Sequence, residues 1–133
     1  MKELIVETTI ESLTKVIDFV HEELAQKTCP QELRDTISLA VEEVFTNIAN
    51  NAYQPATGNA AISITVGEEA VIRFADTGKP YNPLERPEPD LDKPLMEREI
   101  GGLGIFLVKK IMDKVEYGRI DDKNVLVIRK KIE

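Results

Sequence analysis

What this chain lacks narrows its chemistry early. Cysteine and histidine occur once each, as Cys29 and His21. An internal disulfide is therefore impossible, and a zinc site built from this chain alone would fall short of ligands. No apolar run approaches the roughly 20 residues that a membrane-spanning helix needs. The opening Met-Lys-Glu, followed by an alternating segment, has none of the layout of a secretory signal. Cytoplasmic residence is the expectation. Basic residues are outnumbered, 17 against 24 acidic, and the resulting formal charge of −7 argues against nucleic acid as the direct partner. A basic protein partner, or a cation that brings in an anionic ligand, suits this balance better. Two common phosphate-binding signatures are also missing. There is no Gly-Lys-Ser/Thr of the Walker type and no glycine fingerprint after the first strand, so P-loop and dinucleotide-binding readings fail.

What is present predicts one compact unit. With 133 residues, 42% of them apolar, a single domain spanning 1–133 with one core is expected. Residues 4–10 are β-branched and partly alternating, which predicts a first strand. Ser12 is placed to cap a helix whose apolar residues Leu13, Val16, Ile17, Val20 and Leu24 recur at helical spacing. Pro30 opens a longer helix with a core stripe of Ile37, Val41, Val44, Ile48 and Ala52. Ile62, Ile64 and Val66 alternate as a strand, Gly67-Glu68-Glu69 turns, and 71–75 forms an antiparallel partner. Five of the seven prolines then fall between positions 79 and 102, which marks a long loop of the kind that often serves as a lid. Helical spacing returns over 103–115 through Leu103, Phe106, Leu107 and Ile111. Strands at 115–120 and 125–132 close the chain around a polar turn, Asp121-Asp122-Lys123-Asn124.

Three clusters carry chemistry. On the second helix, Glu43, Asn47, Asn50 and Asn51 lie within about a third of the circumference at 100° per residue. They flank the apolar stripe, whereas Glu42 turns toward solvent. A merely solvated face would favour Lys, Glu or Gln; asparagine instead offers a neutral oxygen suited to magnesium beside phosphates. Glu43, one turn earlier, could accept a proton from a nucleophile. Asp76-Thr77-Gly78 follows an apolar strand. A carboxylate there can accept from an exocyclic amine such as that of adenine, while Gly78 permits close approach of the base. Gly101-Gly102-Leu103-Gly104 opens the third helix, where free amides and the helix dipole attract phosphate.

In this order and spacing, Glu43-x-x-x-Asn47, Asp76-x-Gly78 and Gly102-x-Gly104 resemble the N, G1 and G2 boxes of the GHKL (Bergerat-fold) ATPases. Within that superfamily the chain is most similar to the anti-sigma-factor serine/threonine kinases. The similarity continues through Asp76-Thr77-Gly78-Lys79-Pro80-Tyr81-Asn82-Pro83, Gly101 to Leu107, Ile111-Met112-Asp113, Val115-x-Tyr117 and Asn124. Two positions depart from the family pattern: Asn51 stands where histidine is frequent, and Asn82 where an acidic residue is usual. The resemblance implies a two-layer α/β sandwich with a mainly antiparallel sheet and about three helices on one face. It implies ATP and Mg2+ as cofactors. Asn47 would coordinate magnesium, Glu43 would be the catalytic base, Asp76 would contact adenine and Gly78 would shape its pocket. Gly102 and Gly104, with Leu103 between them, would close on the nucleotide's phosphates beneath a lid at about 82–100. The implied partners are a sigma factor held inactive and a STAS-type anti-sigma factor antagonist that is phosphorylated, and homodimerisation is implied as well. Two other readings remain at this point. One is a nucleotide-gated protein-binding module without efficient transfer. The other, a detached histidine-kinase ATPase part, is disfavoured because His21 sits in a short helix after an opening strand and no phosphoacceptor helix precedes it.

Overall fold

A computed structural model of the chain describes residues 2–27, 29–51, 58–85 and 102–132, with the backbone alone at 51, 102 and 103. Five strands form one sheet in the order β1-β2-β3-β5-β4, and every neighbouring pair is antiparallel. The strands are β1 (Lys2–Glu7), β2 (Asn59–Val66), β3 (Glu69–Asp76), β4 (Lys114–Ile120) and β5 (Lys123–Lys131); the helices are α1 (Leu13–Gln26), α2 (Gln31–Asn51) and α3 (Gly102–Ile111). The chain runs strand, two helices, hairpin, helix, hairpin, and this two-layer α/β arrangement with helices on one face matches the expected fold class.

Alternation builds the layer that carries the site. Ile62 and Ile64 of β2, Ile72 and Phe74 of β3, and Leu126 and Ile128 of β5 point to the same face and are buried beneath the helices. From α1, Val16, Val20 and Leu24 are fully enclosed, with Leu13 and Ile17 packed at the margin. Each fully buried side chain of this size contributes about 1.5–3 kcal/mol. Ile37, Val41, Val44 and Ile48 of α2 lie in the core as the stripe predicts, together with Phe45. The last residue assigned to that stripe, Ala52, lies outside the described residues. Among the described residues no helix is long and apolar enough to cross a membrane.

Several boundaries differ from the sequence reading, each for a local reason. Strand β1 covers Lys2–Glu7 because its register against β2 ends at Glu7↔Asn59. The chain then leaves the sheet at Thr8, whose hydroxyl both donates to the Gly58 carbonyl at 3.2 Å and accepts from the Gly58 amide at 2.9 Å. Ser12 does not cap α1 with its side chain. A 3-10 turn, Ile10–Ser12, precedes the helix, and the Ser12 amide donates to the Thr9 carbonyl at 3.0 Å. Helix α3 stops at Ile111, leaving Val115 to β4, and it buries Ile105 and Val108 rather than Phe106 and Leu107, with Met112 buried just beyond its end. Phe106 lies partly exposed with the Lys110 ammonium 5.2 Å from its ring centroid.

The closing hairpin is tighter than expected. Asp121 and Asp122 adopt φ of 52° and 61°, and Ile120 pairs with Lys123. Two consecutive positive φ values suit the right-handed twist of the flanking strands, and aspartate tolerates them better than most residues. Lys123 and Asn124 are therefore strand residues of β5 rather than members of the turn.

Candidate nucleotide site

The core face of the sheet turns polar at one end, and the change is set by register. Asp76, the last residue of β3, stands opposite Asn124 of β5, which in turn stands opposite Arg119 of β4. Asp76 and Asn124 are only 3% and 5% exposed. A buried carboxylate needs partners, and Asp76 Oδ1 accepts from the Gly78 amide at 3.0 Å and from Asn124 Nδ2 at 3.1 Å. Burial pushes the Asp76 carboxyl above its ordinary range; the hydrogen bonds from Asn124 and Gly78, and the charge of Arg119, offset only part of that rise.

Helix α2 crosses above this end of the sheet. Val44 and Ile48 from α2, with Phe74 and Leu126 from the strands, form the apolar walls of a pocket, and Asn47, Asp76 and Asn124 supply its polar floor and side. Tyr81, Pro83 and Tyr117 complete the rim. The pocket is narrow and opens to solvent at its rim. Asn47 is 7% exposed, an uncommon depth for an amide side chain on a helix flank. The Tyr81 hydroxyl is buried against this pocket with no hydrogen-bond partner among the described residues. Such an atom is one that a bound ligand or an ordered water would satisfy.

Glu43 lies one turn before Asn47 on the same flank of α2, half-buried, while Glu42 is exposed. The helical geometry read from the sequence thus holds for both glutamates. Burial raises the Glu43 carboxyl above its ordinary range, and the neighbouring charge of Glu42 adds to the effect. Its carboxylate rests on the first turn of α3: a Cβ on Gly104 would collide with Glu43 Oε2 and would stand 3.4 Å from Cδ. The glycine that sequence reasoning set aside for phosphate approach is therefore also the surface on which Glu43 lies.

The structure brings Asn47 and Asp76 into one pocket and sets Glu43 against Gly104. Gly78 is held in the loop that leaves β3: its amide is on Asp76, and its carbonyl accepts from Arg119 Nη1 at 2.8 Å. The backbone of Gly102 and Leu103 opens α3. Of the lid expected at 82–100, Pro83–Glu85 forms a 3-10 turn, and 86–100 lies outside the described residues. Gly101 also lies outside them, as does the Asn51 side chain. Asn50 is exposed and lines no part of the pocket. Sequence reasoning missed Asn124, Arg119 and Tyr117 as site residues. Tyr117 donates its hydroxyl proton to Asn124 Oδ1 at 2.5 Å, a link between strands that no local pattern announces.

A family model described as a histidine kinase-like ATPase domain matches residues 6–130 of the chain. The chain belongs to this family. The three motifs thus resemble the superfamily to which the whole fold conforms. Among curated relatives, the chain is 32% identical over 99 residues to serine/threonine-protein kinase BtrW of Bordetella bronchiseptica, which covers 72% of this chain and 69% of that protein. It is 29% identical over 100 residues to serine-protein kinase RsbW of Bacillus cereus, covering 71% of this chain and 62% of the relative. The chain therefore spans rather less than two thirds of that RsbW. A solved structure of RsbU and RsbW domains from Mycobacterium tuberculosis matches 99% of this chain and 33% of that one with a TM-score of 0.68 at 12% identity, a likeness of fold alone.

Proposed function

We propose that this chain is a Mg-ATP-dependent protein serine/threonine kinase that phosphorylates an anti-sigma factor antagonist and, in the alternative state of the same switch, sequesters a sigma factor. The observation that carries the reading is the convergence of Asn47 and Asp76 on one pocket, with Glu43 one turn away against Gly104. The names of the relatives, serine and serine/threonine kinases, support it.

The residues fit the group they would hold. Asp76 is an acceptor at the pocket floor, suited to the amine of adenine, and the apolar walls suit its ring faces. Among the described residues no cluster of His, Cys, Asp and Glu could hold a metal unaided. Asn47 would thus serve a magnesium ion that arrives with nucleotide phosphates and keeps waters of its own, which is how magnesium usually binds. When bound, Mg-ATP supplies the phosphoryl group and offsets its charge. Glu43 would orient the target serine and take its hydroxyl proton, a task that its raised carboxyl pKa suits. Asn47 would fix the metal's position relative to Glu43. Gly102, Leu103 and Gly104 would offer backbone at the start of α3 to the phosphates, where the helix dipole favours negative charge.

Wild-type protein should gain thermal stability in Mg-ATP or Mg-ADP, and Asn47→Ala should abolish that gain, as read by the shift in Tm. A wild type unmoved by nucleotide would sink the ATP reading. Transfer is read by incubation with labelled ATP and the candidate antagonist encoded nearby, and its absence would refute kinase activity. Gly104→Ala separates folding from chemistry. The new methyl group displaces the free end of Glu43 rather than backbone, and alanine is the better helix former by about 1 kcal/mol. The variant should keep or slightly raise its Tm while transfer falls by about 10²-fold, the cost of a base displaced by roughly an ångström.

A further inference from the structure

The pocket contains a side chain whose hydrogen-bonding capacity is completely used, and it belongs to none of the three motifs. Asn124 Nδ2 donates to Asp76 Oδ1 at 3.1 Å and to the Lys79 carbonyl at 2.8 Å. Its Oδ1 accepts from the Tyr81 amide at 3.2 Å and from the Tyr117 hydroxyl at 2.5 Å. Two donors and two acceptors are all that an asparagine side chain offers. The pattern also fixes its orientation, because exchanging oxygen and nitrogen would set oxygen against the Asp76 carboxylate and the Lys79 carbonyl.

This arrangement has a chemical consequence. One oxygen of Asp76 is occupied twice, by Gly78 and Asn124. Oδ2 accepts no hydrogen bond among the described residues, and Asp76 lines the pocket. The loop that follows is held at three backbone groups: Gly78 O by Arg119, and Lys79 O and Tyr81 N by Asn124. Two donors on Oδ1 fix the orientation of the carboxylate and leave Oδ2 as the oxygen with capacity for a ligand, and a donor against Oδ1 favours the ionised, acceptor-only form. Arg119 is the charged side chain acting on Asp76 among the described residues. No second carboxylate acts on it there.

We propose that Asn124 is the positioning residue for base selection: it locks Asp76 as an acceptor toward the base, so that the pocket takes 6-amino purine nucleotides and rejects 6-oxo purines. The proposal rests on the nucleotide reading given above. An adenine amine would donate to Oδ2, whereas the carbonyl oxygen of hypoxanthine at the same place would meet a carboxylate with no proton to give.

The test is calorimetric binding of Mg-ATP and Mg-ITP to wild type, Asn124→Ala and Asn124→Asp, with thermal unfolding of each protein in parallel. Wild type should prefer ATP. In Asn124→Ala that preference should fall by about ten- to a hundredfold, the worth of one well-placed hydrogen bond to a charged group. Asn124→Asp keeps the shape and both acceptors but sets a second carboxyl against Asp76, and such a pair retains a proton to higher pH. Its ATP affinity should be lost on acidification at a higher pH than in wild type, with ITP favoured below that midpoint. A merely structural Asn124 would weaken ATP and ITP equally and lower Tm, leaving the ATP/ITP ratio and the pH midpoint where they were, and that result overturns the proposal alone. A wild type that binds neither nucleotide overturns the nucleotide reading and this proposal with it.

Discussion

Glu43→Gln should lower phosphoryl transfer by about 10²–10⁴-fold, the usual worth of a positioned general base, while nucleotide affinity stays near wild type. Glutamine preserves the shape of the side chain that rests on Gly104 but cannot accept the serine proton. The measurements are single-turnover transfer of label from ATP and, separately, the equilibrium dissociation constant for Mg-ATP. The pH profile provides the second half of the test. Glu43 works only when ionised, and burial and the Glu42 charge raise its pKa. Activity should therefore be present above that raised pKa and decline as pH falls through it, with the acid limb displaced upward from that of an ordinary glutamate. Glu42→Gln removes the like charge and should shift the limb back toward lower pH with little change in the plateau rate. Equal rates for wild type and Glu43→Gln would eliminate the base and leave a nucleotide-gated binding module as the better account.

The second large effect is on stability. Phe45→Ala should cost about 3–5 kcal/mol, as measured by urea unfolding, because a fully enclosed aromatic ring is replaced by a cavity. Domains of this size have about 5–15 kcal/mol in total, so the variant should sit close to unfolding at physiological temperature. Phe45 occupies the buried side of α2, two residues from both Glu43 and Asn47. Its ring therefore anchors the helix whose other flank carries the chemistry. A loss below about 1 kcal/mol would mean that α2 is held chiefly by its neighbours Val41 and Val44.

The parts of the molecule legible in the sequence are those whose signal is local. The α2 stripe of Ile37, Val41, Val44 and Ile48 repeats at helical spacing, and the polar flank beside it is visible because asparagine is a poor choice for a solvated helix. Strand β2 alternates, so Ile62 and Ile64 could be named as its inward face, whereas β3, with Val71 and Ile72 adjacent, is legible only as a span. Helix α3 is apolar around most of its circumference, from Ile105 through Val108, and such a segment does not reveal which side is inward; the stripe read through Phe106 and Leu107 is displaced for that reason. Asn124 shows the other limit. Its partners Asp76, Lys79 and Tyr81 lie 48, 45 and 43 positions away. In sequence it carries only a place in the family resemblance and otherwise reads as a polar residue of a turn, and only the pairing of β5 with β3 turns it toward the pocket.

The two-residue turn Asp121-Asp122 thereby acquires a part in ligand chemistry without touching a ligand. Side chains on a strand alternate between faces, so a hairpin longer by a single residue that slid β5 by one step would point Asn124 away from Asp76 and bring Val125 into its place. What the turn contributes is its length. Two exposed aspartates at the periphery of the sheet act as the gauge that sets which side chain meets the base, and a change there would rewrite the pocket while every residue lining it kept its identity.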